Sequence, residues 1–557
     1  MKPYVRVLIA IIVLVAMIAP RIASLTAFTA ADEPFWLVVS ANYYYALTHR
    51  EFQNTVYEYH PAVTTMWIGT AAMLAYFPEY RGLMNGYFQQ EKTSFDTYLL
   101  EHGKDPLGLL WWSRLFQTLT NVLLWLIAYV LIRYLLGEWP ALAALLLASF
   151  APYLFGQSRM LNHESMVGLF TLDSLLALIA YLERGRRPLL LVLSALFAAL
   201  ANLTKSSSII LIAVVAGILL AHATANSNDS SRRWPGVLRA LKWFGSWLVL
   251  LVVFYVLIWP GMWVAPGKMM HEVFGNAFSY AFQGARLSVT QNLEPSSFSL
   301  DAAGAGIGGF LRSIAWRTTP LTWLGLLLAA ILGSLRGEAA LPRTGRWVIA
   351  ALLLEAAAVV VMFGAIQGRN SPHYVLAAHV CLETIAALGW AYALVNLGTR
   401  WPRWSRALPL LLVILLSLQA AGLAGTGPYY YTYYNPLLRA ATHNNFPVFF
   451  YGEQMEAAAG YLAAKPNAAE LTALVYFGRS FSYYFPGETI VVKPVFFEDT
   501  NQLLDNLRNS DYLVMYTGLH ERLPILDDMR PEKLLYLHDR EYVEIYRLAD
   551  QPAELLQ

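Results

Sequence analysis

The stretch that decides the reading is Ala31-Asp32-Glu33-Pro34-Phe35-Trp36, followed after a Tyr43-Tyr44-Tyr45 triplet by His60-Pro61-Ala62-Val63-Thr64-Thr65-Met66-Trp67. It comes directly after an apolar run long enough to cross a bilayer. Two adjacent carboxylates beside a membrane are costly to keep there. A reaction would give them a use. Asp32 and Glu33 therefore read as the catalytic end of a membrane enzyme.

Composition points the same way. The chain has 557 residues, 57% hydrophobic and 14% charged, with a mean hydropathy of +0.44. A soluble domain has about 45–50% apolar and about 25% charged residues, so the excess indicates a polytopic membrane protein. Aromatics at 14%, with 17 Trp and 33 Tyr, suit interfacial belts and sugar-stacking surfaces. A net charge of +2 gives no reason to expect nucleic acid. The single cysteine, Cys381, excludes an internal disulfide and a Cys-based metal site. The first apolar run, Val7 to Pro20, follows Lys2 and Arg6 but lacks a convincing small-residue cleavage site. It reads as the first transmembrane helix and not as a signal peptide.

Apolar stretches of the right length predict about eleven spans. They lie near 5–24, 110–134, 139–155, 165–182, 188–203, 207–222, 241–259, 319–335, 346–365, 374–395 and 407–424. The segment 61–77 is apolar too, but charge placement makes it a juxtamembrane helix. With it left out, the basic loops at Arg184–Arg187, Arg232–Lys242, Arg336–Arg346 and Arg400–Arg406 all share the side of the N-terminus. That side is the cytoplasm, because Lys and Arg concentrate on cytoplasmic loops. The external loops are then 25–109, 156–164, 260–318 and 366–373, with a short turn at Lys205 and everything after about residue 425. From about residue 441 the chain reads as a small extracytoplasmic α/β domain. Its predicted helices are 453–464 and 502–508, and its strands 471–477, 489–494, 512–516 and a pair within 533–547.

The chemistry gathers on the external loops. Asp32-Glu33 could be an N-cap followed by a first-turn acid, or a catalytic pair, and the two roles are compatible. Asn162-His163-Glu164 opens a span, again as cap or as site. In the site reading Glu164 shares a cavity with Asp32, and His163 or Arg159 contacts phosphate. His60-Pro61 could simply begin an interfacial helix. Lys205, in Leu203-Thr204-Lys205-Ser206, could snorkel or bind phosphate. Arg369, His373 and Tyr374 could be interfacial anchors or substrate contacts. Asp32, Glu164, His163 and His60 are ligand types a divalent metal accepts, but no spacing demands one, so none is expected. No Gly-rich phosphate loop is present, which argues against direct use of ATP or a nucleotide-sugar.

Taken in order, these motifs resemble the protein O-mannosyltransferase-like glycosyltransferases of family 39, which have the GT-C fold and include aminoarabinose transferases. The resemblance covers roughly residues 5–440. It rests on Asp32-Glu33 after the first helix, His60-Pro61, and Ser158-Arg159 followed by Glu164. Further along it rests on Leu203-Thr204-Lys205-Ser206, Trp259-Pro260 with Trp263, Thr319-Pro320-Leu321, and Ser371-Pro372-His373-Tyr374. It implies a polyprenyl-phosphate-linked sugar donor, catalysis on the external face and inversion at the anomeric carbon. Asp32 matches the family's acid on the first external loop, the base for the acceptor, with Glu33 its partner. Glu164 matches the acid on the second external loop, where many relatives place Asp. His60 falls where some relatives carry Lys before Pro. Lys205 and His373 are candidate phosphate contacts.

The expected fold is therefore a polytopic α-helical membrane protein of GT-C type. Residues 1–440 form its transmembrane catalytic domain and 441–557 its extracytoplasmic α/β domain. The expected function is sugar transfer from a polyprenyl-phosphate donor to a hydroxyl of a lipid, glycan or protein. The alternative is a transporter or flippase of lipid-linked glycans. That activity needs ionisable residues along a path, for which Asp173, Glu355, His379 and Glu383 are the candidates.

Overall fold

A computed structural model describes residues 3–56, 60–81, 92–225, 230–283, 300–337, 340–366, 371–492 and 500–552. Arg369 lies outside the described residues. Among them, seven helices are long and apolar enough to cross a membrane. These are Pro106–Leu136, Glu164–Glu183, Ser206–Ala225, Trp234–Ile258, Arg343–Ala365, Pro372–Arg400 and Pro402–Ala424. An eighth is added if Ala302–Arg317 and Pro320–Ser334, bent by 112° at their junction, count as one broken span. The protein is a polytopic helical bundle with a small C-terminal sheet domain, as expected.

The other predicted spans take different forms. The segment expected at 139–155 begins as an apolar helix, Glu138–Ala148. It closes in a π turn at Ala144–Ala148 and restarts at Pro152, because proline has no N–H to continue a helical ladder. The first helix, Pro3–Ile22, has 20 residues, and Pro188–Thr204 is an apolar helix of 17. The 319–335 segment is the second half of the bent pair. The bend falls at Thr318-Thr319-Pro320, and side chains from the chain's later part satisfy the backbone it frees. Asn435 donates from Nδ2 to the Thr318 carbonyl at 2.8 Å, and its own N–H reaches the Trp316 carbonyl at 2.7 Å.

The helix Glu164–Glu183 is the centre of the bundle, buried from Glu164 to Leu182. It packs against Pro106–Leu136, Pro188–Thr204 and Leu376–Arg400. Gly168 allows a close approach to Leu376–Arg400, since a Cβ there would lie 2.8 Å from Val380 Cγ2. Outward faces carry exposed Leu123, Val249, Leu257, Leu353 and Leu410, the surface a bilayer would solvate. The helices Glu33–Thr48 and Val63–Tyr76 pack on each other, and Val63–Tyr76 also packs on Pro106–Leu136. Val63–Tyr76 has 14 residues, about 21 Å at 1.5 Å per residue, against a hydrocarbon thickness of about 30 Å.

The C-terminal sheet has the order β2-β1-β3-β5-β4. Its strands are β1 (Thr472–Val475), β2 (Glu488–Val491), β3 (Tyr512–Tyr516), β4 (Lys533–Leu537) and β5 (Arg540–Arg547). β1 pairs in parallel with β2 and β3, and β5 runs antiparallel to β3 and β4. Helices Met455–Ala463 and Thr500–Arg508 belong to the same region, close to the predicted segments. β3 is buried along its whole length, as Tyr-Leu-Val-Met-Tyr with no polar alternation predicts for a central strand.

Candidate functional site

Asp32 occupies the N-cap position of Glu33–Thr48, with Pro34 in the first turn, but its side chain makes no capping bond. Its carboxylate faces away from the helix. Oδ2 accepts a hydrogen bond from the Tyr451 hydroxyl at 2.8 Å, across 419 residues of sequence. Asp32 remains exposed, yet the protein around it is dense. Burial pushes its carboxyl above the usual carboxylate range, and the Tyr451 bond works against that rise.

Glu33, one residue on, is in a different situation. It is buried and fully engaged. Arg114 Nε donates to Oε1 at 2.7 Å, and Arg114 Nη2 bonds Oε2. The backbone N–H groups of Ala30 and Leu161 donate to the same carboxylate, each at 2.7 Å. Four donors thus converge on one carboxylate, and Arg114 Nη1 also holds the Leu25 carbonyl. The network ties the segment after the first helix to Pro106–Leu136 and to the Met160–Asn162 turn.

Lys205 sits where the helix Pro188–Thr204 ends and the chain extends for one residue (φ −147°, ψ 130°). That break turns its side chain inward. The ammonium is buried, forms an ion pair with Glu164, and lies 4.7 Å from the Tyr374 ring centre and 5.3 Å from that of Phe363. His163 Nε2 is 3.4 Å from Glu164 Oε1. The His163 ring packs between Trp36 at 5.1 Å and His60 at 5.0 Å. His60 Nδ1 is 3.3 Å from Ser206 Oγ. Its loop is stapled to the lysine turn, with Ala62 N–H on the Thr204 carbonyl at 3.2 Å and Thr64 Oγ1 2.7 Å from Thr204 Oγ1. His373 lies 4.7 Å from Tyr374 and 5.2 Å from Tyr451, ring to ring.

A continuous path of contacts therefore runs Asp32–Tyr451–His373–Tyr374–Lys205–Glu164–His163–His60. Of the residues singled out in the sequence, Asp32, Glu164, His60, His163, Lys205, His373 and Tyr374 come together. Arg159 does not join them. Its guanidinium donates to the Arg21 carbonyl at 2.8 Å and to Ala23, and stacks on Tyr430 at 4.8 Å. Tyr451, Trp36 and Arg114 belong to the site or its support and were not anticipated. A narrow crevice of about 10 Å³ lies beside the Glu164–Lys205 pair, lined also by Thr171, Met362, Phe363 and Glu355. Among the described residues, no three His, Cys, Asp or Glu side chains converge as a metal site would need.

The segment carrying Arg114, His163, Glu164 and Lys205 has known counterparts. Residues 108–259 match the family described as dolichyl-phosphate-mannose-protein mannosyltransferase. The glycosyltransferase family read from the motifs is borne out over that segment. Among solved structures, the chain is similar to the oligosaccharyltransferase of Archaeoglobus fulgidus in complex with Zn and sulfate. The identity is 13% over 94% of this chain and 70% of that one, with a TM-score of 0.48. It is also similar to ArnT from Cupriavidus metallidurans bound to undecaprenyl phosphate, at 14% identity over 96% and 97% of the chains and a TM-score of 0.47. No curated protein matches the chain.

Proposed function

We propose that the protein is a membrane glycosyltransferase that moves a sugar from a polyprenyl-phosphate donor to an acceptor hydroxyl, with inversion, on the extracytoplasmic face. The observation that carries this reading is one contact path linking an accessible carboxylate, Asp32, to a buried ammonium, Lys205. Inverting transfer needs two such poles. A base takes the acceptor proton on one side of the anomeric carbon, and a cation receives the leaving phosphate on the other.

In this reading Asp32 Oδ1 accepts the acceptor proton while Oδ2 stays hydrogen-bonded to Tyr451. The acceptor oxygen attacks the anomeric carbon, and the bond to the phosphate oxygen breaks. Lys205 meets the phosphate, with His163, His60, His373 and Tyr374 around it. Glu164 holds the ammonium until the phosphate arrives. Glu33 and Arg159 act by positioning, since their polar groups are already engaged by protein. We place the domain boundary near residue 441, the N-terminus in the cytoplasm and the C-terminal domain outside.

The test is sugar release from polyprenyl-phosphate sugars by purified protein, wild type beside Asp32→Asn. Turnover should fall about 10²–10⁴-fold with donor binding retained. Equal turnover would remove Asp32 as base. Orientation is checked by single cysteines at exposed Arg186 and exposed Glu470, which should label from opposite sides. One observation favours the transport reading. Both carboxylate oxygens of Asp173 and both ring nitrogens of His379 are buried without a hydrogen-bond partner among the described residues. Flux of lipid-linked glycan across liposomes, without sugar transfer, would establish it.

A further inference from the structure

The C-terminal half sends one short strap into the site. Phe449-Phe450-Tyr451-Gly452-Glu453 joins the membrane part to the helix Met455–Ala463. The Ala31 N–H donates to the Tyr451 carbonyl at 3.0 Å, so the strap is hydrogen-bonded to the residue beside Asp32. Gly452 has φ +104°, a region that favours glycine. A Cβ there would also lie 2.7 Å from the Thr29 carbonyl. The strap is stiffened from the other side. The Tyr451 N–H donates to Glu453 Oε2 at 2.7 Å, and the Tyr516 hydroxyl of β3 donates to the Glu453 carbonyl at 2.9 Å. Tyr451 is thus fixed at its backbone on both sides, and its ring packs on His373 and Phe449.

We infer that Tyr451 is a positioning residue for Asp32, so that the C-terminal domain, through the strap 449–453, completes the site built by the membrane domain. The hydroxyl orients one oxygen of the carboxylate and leaves the other open to a reactant. A donor to the ionised form also keeps the carboxylate charged in surroundings that disfavour charge. Asp32 is faced by Tyr451 from the strap, Glu33 from its own helix, and His163 and Glu164 from the central helix. Of these, only Tyr451 hydrogen-bonds it among the described residues. The inference rests on the glycosyltransferase reading for its bearing on turnover, but not for its bearing on the carboxylate.

The sign follows directly. Removing the hydroxyl removes a bond that favours the charged form, so the Asp32 carboxyl must titrate at higher pH. Glu453, pushed up to about 7 by burial, titrates nearby, but wild type and a Tyr451 variant share it. Their difference therefore isolates Tyr451.

The experiment uses full-length protein in detergent and a water-soluble carbodiimide, which reacts with protonated carboxyls. Labelling of Asp32 is followed against pH by peptide mass spectrometry. In Tyr451→Phe the labelling midpoint should rise by about one pH unit or more. The acid limb of kcat should rise with it, and the donor KM should stay unchanged. Gly452→Ala, which displaces the strap without touching the hydroxyl, should raise the midpoint in the same direction. An unmoved Asp32 midpoint in both variants overturns the inference, whatever happens to turnover. A merely structural Tyr451 would lower the unfolding temperature and leave the midpoint in place. Asp32→Asn separates the two readings. If it keeps full turnover the base assignment fails, while a shifted midpoint still supports the strap.

Discussion

Two of the buried ion pairs among the described residues, Glu33–Arg114 and Glu164–Lys205, are built on opposite plans. Glu33–Arg114 is two-pronged and closed, with two further backbone donors on the carboxylate and a carbonyl on the guanidinium. Glu164–Lys205 joins a point charge to a carboxylate that His163 also approaches, and it is rimmed by the aromatic faces of Tyr374 and Phe363. Arg suits the first because its planar fork matches a carboxylate bidentately. Lys suits the second because a point charge can change partners. The difference separates a joint of the scaffold from a charge held for use.

Breaking one partner of the closed pair should have the largest effect on folding. Arg114→Ala leaves a carboxylate buried and uncompensated, which costs about 3–5 kcal/mol, read as a fall in unfolding temperature in detergent. Replacing both partners by Met should not restore that loss, because the Ala30 and Leu161 N–H groups and the Leu25 carbonyl then lose their partners. A double replacement as stable as the wild type would show that the pair is not a joint of the scaffold.

The open pair should respond in function more than in stability. On the proposed function, in which Lys205 receives the donor phosphate, Lys205→Gln should cost about 1.5–3 kcal/mol, or roughly ten- to a hundredfold in donor KM. An unchanged donor KM would make Lys205 scaffold as well and erase the contrast. The smallest effect should come from the half-exposed pair Arg133–Glu138, with Nε to Oε2 at 2.6 Å. Arg133→Ala should change stability by less than about 1 kcal/mol and leave turnover untouched.

Much of the membrane part was legible because its signals are local. Apolar runs reveal spans, Pro and Thr mark breaks, and a lysine between two apolar segments stands out wherever it points. Asp32, Glu164, Lys205 and His373 could be marked for the same reason, each being a polar residue at the end of an apolar run. What stayed hidden depends on contacts between distant positions. Nothing in Phe449-Phe450-Tyr451 pairs it with Asp32, and Arg114 looks like any basic residue near a helix start. Asp32 and Glu33 looked alike because adjacent helical residues share a neighbourhood in sequence but not a direction in space. Span length was overread where a helix breaks, as at Pro152 inside the expected 139–155 span. Hydropathy averages over such breaks, while backbone hydrogen bonding does not.

The central helix Glu164–Glu183 has a further consequence, for the order of assembly. Protein surrounds it on every side in the finished bundle, so Asp173 never meets lipid there. Helices enter a bilayer before they associate, however, and at that stage every face of this one is open to hydrocarbon. A charged Asp at mid-span then costs roughly 2.5–3.5 kcal/mol. The neighbour Pro188–Thr204, which follows it directly in the chain, is the helix at hand to close over it first. The finished fold thus conceals a vulnerable stage in its own biogenesis.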